Sequence, residues 1–128
     1  MHMDFRDSLI DWAAIEDRFE GDIELFCEIA RLFLEDCPKR LSVMRDALSC
    51  GDCGTLERVA HSLKGSVSNF AAADAMRAAR ELEELARARN VDRVHEACAK
   101  VDVEVTRLAA ALREIDRTSC PTDLHASN

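Results

Sequence analysis

Glycine and proline are scarce in this sequence, with four and two in 128 residues, and no useful length of it alternates apolar with polar residues. Half-buried strands need that alternation, so a sheet architecture is excluded and helical periodicity runs from end to end. No apolar run approaches the ~20 residues of a membrane span. The opening residues, MHMDFRDSL, are acidic and lack an apolar centre, which reads against a secretory signal. Basic excess is missing as well. The formal charge is −8, whereas binding nucleic acid needs a basic surface, and the same charge disfavours anionic membranes. There is no glycine-rich nucleotide loop and no acidic cluster for magnesium.

Cysteine is present six times, as Cys27, Cys37, Cys50, Cys53, Cys98 and Cys120. Without a secretion signal, and with helical patterning throughout, these read as reduced thiols of a cytoplasmic protein. Cys50 and Cys53 form a C-x-x-C. A zinc site would want a second ligand pair, and a thioredoxin-like site a βαβ context. Neither is visible, so the pair reads as two thiols at a helix turn.

The length suits one domain, here a helical body over 1–118 followed by an aperiodic stretch, 119–128, expected to be a disordered tail. A short helix is predicted over 11–19, with Trp12, Ile15 and Phe19 inward and Gly21 ending it. Asp22 then caps a second helix. Its apolar set is Ile23, Phe26, Cys27, Ala30, Phe33, Leu34, Cys37, Leu41, Met44 and Leu48. Those steps of three and four pass Pro38 without a phase break, which favours one long kinked helix over 22–50. Gly51 suits the left-handed position after it, and Asp52 the next cap. A third helix is expected over 53–70, a fourth from the AAAD stretch to Arg89, and a fifth over 92–117. Long amphipathic helices joined by short turns pack most simply as an antiparallel up-and-down four-helix bundle, the short first helix covering one end.

The third helix holds the residues with chemistry. Its inner stripe centres near Leu56, Leu63 and Val67, and His61 points ~150° away from that centre, into solvent. Gly65 lies one turn on along the same outer face, with Ser68 beyond it, Lys64 to the side and Arg58 one turn before. A glycine inside a helix costs about 1 kcal/mol against alanine. A side chain there is expected to crowd the imidazole and to keep another protein from approaching closely. A neutral imidazole is a competent nucleophile near neutral pH, and Lys64 offers a mobile ammonium suited to a phosphoryl group. On spacing alone, a solvated histidine beside a tolerated glycine stays open.

The stretch AHSLKGSVSNFAA, residues 60–72, resembles the phosphorylation-site signature of the histidine-containing phosphotransfer (HPt) domains of phosphorelays. Ala60, His61, Leu63, Lys64 and Gly65 match in place, and Ala72 matches the alanine of the family's later Gly-Ala pair. FLEDCPKRLSVMRDAL upstream and ARELEELAR downstream resemble the flanking helices, so the likeness covers about residues 10–115. One departure is Ala71, where the family carries glycine, which suggests an altered turn or a helix extended by one residue. The resemblance implies that His61 accepts a phosphoryl group from an aspartyl phosphate on a response-regulator receiver domain and passes it to another receiver. A hybrid sensor kinase would stand upstream. No cofactor is implied for this chain, since Mg2+ is expected on the receiver, and a monomer is expected. Lys64 and Arg58 would meet the acidic receiver face, with Ser68 bordering the docking site. Glu83 would hydrogen-bond the far ring nitrogen of His61. Against that role stands a lattice of i, i+4 surface pairs: Arg77–Glu81, Arg80–Glu84 and Glu83–Arg87.

Two other readings remain from the sequence. One is a helical docking module that binds receivers or kinases and carries no phosphate, supported by Ala71. The other is the phosphoacceptor domain of a sensor kinase, whose histidine is usually followed by an acidic residue, whereas Ser62 follows here. His2 and His125 lie in expected tails, and His95 is placed at the edge of the fifth helix's inner stripe in a structural role.

Overall fold

The computed structural model describes residues 10–118, and these are helical with no strand. Five helices follow in order: α1 Trp12–Phe19, α2 Ile23–Cys50, α3 Cys53–Ser68, α4 Ala73–Arg87 and α5 Val94–Thr118. Each of the first three starts on an aspartate whose side chain accepts a free backbone N–H of the first turn: Asp11 from Ala14, Asp22 from Leu25, Asp52 from Thr55. Such a cap stabilises a helix by about 1 kcal/mol. Gly51 ends α2 in the left-handed region at φ 70°, and its N–H reaches back to the last carbonyls of the helix, as the residue after a helix commonly does. Pro38 lies inside α2, which continues past it to Cys50.

The packing closes on itself: α2 meets α3, α3 meets α4, α4 meets α5 and α5 returns to α2, with α3 against α4 the most extensive pairing. The shared core takes Leu56, Leu63 and Val67 from α3, Leu82 from α4, and Val101, Val105, Leu108 and Leu112 from α5. Full burial stabilises by about 1.5–3 kcal/mol for each such side chain. Phe70 lies beside Phe26 and Phe33 with rings edge to face, at centroid distances of 5.9 and 5.4 Å. That cluster ties the turn after α3 to α2, and so fixes the end of the helix that carries His61.

Several expectations are corrected. Ile23, assigned to the interior, is 46 % exposed. It begins α2 beside a groove of about 390 Å³ lined from α1 by Ala13, Ile15, Glu16 and Phe19. His95 is exposed, because Val94, Ala97, Cys98 and Val101 take the inward positions of α5. Helix α3 stops at Ser68 rather than 70, α4 at Arg87 rather than 89, and α5 starts at Val94 rather than 92. The cysteines are not all thiols: Cys37, Cys50, Cys53 and Cys98 are free, while Cys27 is disulfide-bonded. Cys50 is exposed and Cys53 buried, so the C-x-x-C pair does not present two thiols together. Among the described residues no group of three or more His, Cys, Asp or Glu could hold a metal ion, and no helix is long and apolar enough to cross a membrane. The expectations for Trp12's side chain and for residues 119–128 lie outside what is described.

Ala71 neither extends the helix nor alters the turn to suit alanine. It sits at φ 50°, the left-handed conformation that costs an L-residue with a Cβ roughly 1–2 kcal/mol. The chain keeps a glycine-type turn here without the glycine.

Candidate functional site

His61 sits mid-way along α3 with its side chain 71 % exposed. Helical phase explains this: Ala60 and Leu63 are fully buried on either side of it, so the residue between them is turned outward. Glu83, on the facing helix α4, is the one buried charged residue among those described, at 4 % exposure. Its Oε2 lies 2.8 Å from His61 Nδ1. Its Oε1 accepts a hydrogen bond from Lys64 Nζ at 2.6 Å, and Arg87 Nη2 donates to Oε2 at 3.2 Å. Arg87 in turn donates from Nε to Glu57 of α3 at 2.9 Å.

A buried carboxylate is costly unless its lone pairs are engaged. Here three donors converge on it. The Lys64 hydrogen bond above all, then that of His61, holds the Glu83 carboxyl below the usual carboxylate range, while burial pushes the other way. Glu83 is therefore ionised near neutral pH, and an ionised carboxylate only accepts hydrogen bonds. The consequence for the imidazole is definite: Nδ1 carries the proton. In the neutral ring Nε2 is then left with its lone pair, and no described hydrogen bond engages it. A neutral ring with one nitrogen pinned and the other open is arranged for nucleophilic attack.

Gly65 lies one turn beyond His61 in open space: a Cβ built there meets nothing within 4 Å. The expected crowding of the ring by a side chain at this position is thus not found at the level of a methyl group. Lys64 is not the mobile ammonium expected from the sequence but is tied to Glu83. Ser68 is half-buried, and its hydroxyl donates to the Gly65 carbonyl at 2.6 Å. Arg58 is exposed and donates to Thr55 Oγ1. Of the surface pairs expected on α4, Glu83–Arg87 forms. Arg77 instead pairs with Asp74, and Glu81 reaches Arg93 and Lys100 at 3.6 Å.

Residues 28–117 match the family model described as the Hpt domain. The chain belongs to the Hpt domain family. Among solved structures, this Hpt chain is similar to the crystal structure of histidine-containing phosphotransfer protein B (HptB) from Pseudomonas aeruginosa PAO1. The TM-score is 0.78 at 25 % identity, over 85 % of this chain and 95 % of that one. No curated protein sequence matches it.

Sequence reasoning missed part of the surroundings. A shallow groove of about 300 Å³ runs between α2 and α3 beside the histidine's helix, lined by Lys39, Arg40, Val43, Arg58, Val59 and Ser62 among others. Arg40 reaches across it, donating to Ser66 Oγ at 2.6 Å and to the Ser62 carbonyl. Lys39 and Arg40 follow Pro38 directly in the sequence, but only the pairing of α2 with α3 brings them beside Arg58. They form a local basic rim on a chain of net charge −8.

Proposed function

We propose that this Hpt chain is a phosphocarrier of a two-component phosphorelay: His61 takes a phosphoryl group from an aspartyl phosphate on a receiver domain and passes it to another receiver. The observation that carries this reading is the exposed imidazole with Nδ1 held by buried Glu83 and Nε2 open. In the forward step the Nε2 lone pair forms a bond to phosphorus as the P–O bond to the receiver's aspartate breaks, and that aspartate leaves as a carboxylate. Nδ1 already carries its proton, so no proton need move. Positioning and charge complementarity are most of what such a transfer asks of a protein.

Lys64, close to His61 and bound to Glu83, contributes positive charge beside the incoming phosphoryl group. Lys39, Arg40 and Arg58, lining one groove with Val43 and Val59, suit a partner whose active face is acidic and whose core contact is apolar. Gly65 leaves the ground between them flat. The scaffold reads as four helices running alternately up and down, α2 to α5, with α1 across one end, which the closed cycle of contacts and the short turns support. The receiver supplies Mg2+ and the aspartate, a hybrid sensor kinase stands upstream, and the chain acts as a monomer in the cytoplasm.

The docking module without phosphate lost its support with Ala71, which holds a glycine-type turn ten residues from His61. Incubation with phosphorylated receivers from the same genome tests the proposal. Label should appear on the wild type as an acid-labile, base-stable phosphate and be absent from His61→Gln. Equal labelling of His61→Gln would overturn it.

A further inference from the structure

Most of what Glu83 does for the unphosphorylated ring, a neutral acceptor could do as well. A glutamine carbonyl also accepts from Nδ1–H and would fix the same tautomer. The distinctive fact is that the acceptor is an anion, buried to 4 % exposure and kept ionised above all by its hydrogen bond from Lys64. Its charge matters most when the ring itself becomes positive.

That happens on phosphorylation. When Nε2 bonds to phosphorus with the proton still on Nδ1, the ring is a phosphoimidazolium. If the proton stays, the next transfer expels a neutral imidazole, a good leaving group. If the proton is lost, the leaving group is an imidazolide anion, a poor one. Reactivity as a donor therefore depends on which state the ring keeps near neutral pH. An opposite charge within ~4–6 Å favours the protonated form, and Oε2 of Glu83 is 2.8 Å from Nδ1. The charged groups around the pair are Lys64 and Glu57 on α3, and Arg87 and Glu84 on α4. Lys64 and Arg87 both contact Glu83, and Arg87 also contacts Glu57, so they offset part of its charge, but the carboxylate oxygen is the charged atom in direct contact with Nδ1.

We infer that Glu83 holds the Nδ1 proton in place after Nε2 is phosphorylated, and so makes phospho-His61 a fast donor well above the pH at which a free phosphoimidazole loses that proton. This rests on His61 being the phosphoacceptor. It casts Glu83 as the residue that sets the balance between storing and passing on the phosphoryl group: acceptance needs only the tautomer, whereas donation needs the charge. Glutamine at this position would favour storage, because its amide N–H can donate to a deprotonated Nδ1 and stabilise the unreactive ring.

The test uses phosphoramidate, a small phosphoryl donor that needs no partner protein, on the full chain and on Glu83→Gln. Loss of phosphate from the wild type should stay nearly level between about pH 6 and 8.5, a span that brackets the ordinary imidazole pKa of about 6.5. In Glu83→Gln it should fall about tenfold per pH unit once the ring has lost its proton. Phosphate uptake is measured in both proteins so that the decay profiles are compared at equal loads of phospho-His61. Imidazole 15N spectra of the phosphorylated wild type give a readout that does not depend on the variant folding: Nδ1 should remain protonated at about pH 8. Parallel pH profiles in the two proteins, or a deprotonated Nδ1 in the wild type, overturn the inference. A wild type that takes no phosphate on His61 overturns instead the phosphocarrier reading on which it rests.

Discussion

Replacing Gly65 with alanine separates two reasons for having a glycine inside α3. Were it there for the fold, alanine would destabilise the chain. The geometry says the reverse. The added Cβ meets nothing within 4 Å, the backbone at Gly65 is helical, and the surrounding helix gains the propensity difference of about 1 kcal/mol. For a domain of this size that raises the midpoint of thermal unfolding by roughly 4 °C. Function should move the other way. The methyl stands one turn from His61 on the face that a receiver would cover in the proposed transfer, and an extra methyl in a well-packed contact costs about 1–3 kcal/mol, which is about 5- to 150-fold in rate. Thermal melts followed by circular dichroism measure the first effect, and stopped transfer reactions with a phosphorylated receiver the second. Phosphoramidate labelling of His61 serves as control and should stay near wild type, because the small donor needs no flat docking surface. A lower melting point, or unimpaired transfer from the receiver, would refute the reasoning that the glycine serves the partner and not the helix.

Ala71→Gly should stabilise the chain. It removes a left-handed alanine that costs roughly 1–2 kcal/mol and returns about 0.5–1 kcal/mol of that through the greater freedom of glycine in the unfolded chain. The net gain of about 0.5–1 kcal/mol is measurable by urea denaturation, and a loss would mean that the turn needs the methyl group. The free thiols should also differ in reactivity. Burial pushes Cys98 up to about 11 and raises Cys37 as well, while Cys50 is exposed. Iodoacetamide at about pH 8 should therefore modify Cys50 first and leave Cys37 and Cys98 until the chain unfolds. Mass spectrometry of the native protein showing Cys98 alkylated as fast as Cys50 would count against the packing of α5.

The parts legible in the sequence were those governed by one helix at a time. The phase of Leu56, Leu63 and Val67 placed His61 outside, and the unbroken steps across Pro38 placed 28 residues in one helix. Caps at Asp22 and Asp52 were readable because the interaction spans three residues. What was not legible depends on which helix lies opposite. Ile23 has the right phase for the core, yet it stays 46 % exposed at the start of α2. Arg87 showed its i−4 partner Glu83 but not Glu57 on α3. Lys64 looked free because its acceptor is 19 residues away on α4. The pairing of Glu83 with His61 came from family likeness, since periodicity only placed Glu83 among surface charges. Ala71 shows the opposite case, where local preference argued for a changed turn and the packing of Phe70 against Phe26 and Phe33 prevailed.

His61 and Glu83 stand on different helices, which makes the proposed chemistry a gauge of how α3 and α4 are seated. Sliding α4 by one turn, about 5.4 Å, would bring Arg87 or Ala79 opposite the imidazole in place of Glu83. A guanidinium there would repel a protonated ring, and an alanine would leave the tautomer unset. Substitutions at Leu63, Val67, Ala79 or Leu82, none of which touches a phosphoryl group, thereby gain a direct route to the rate of transfer.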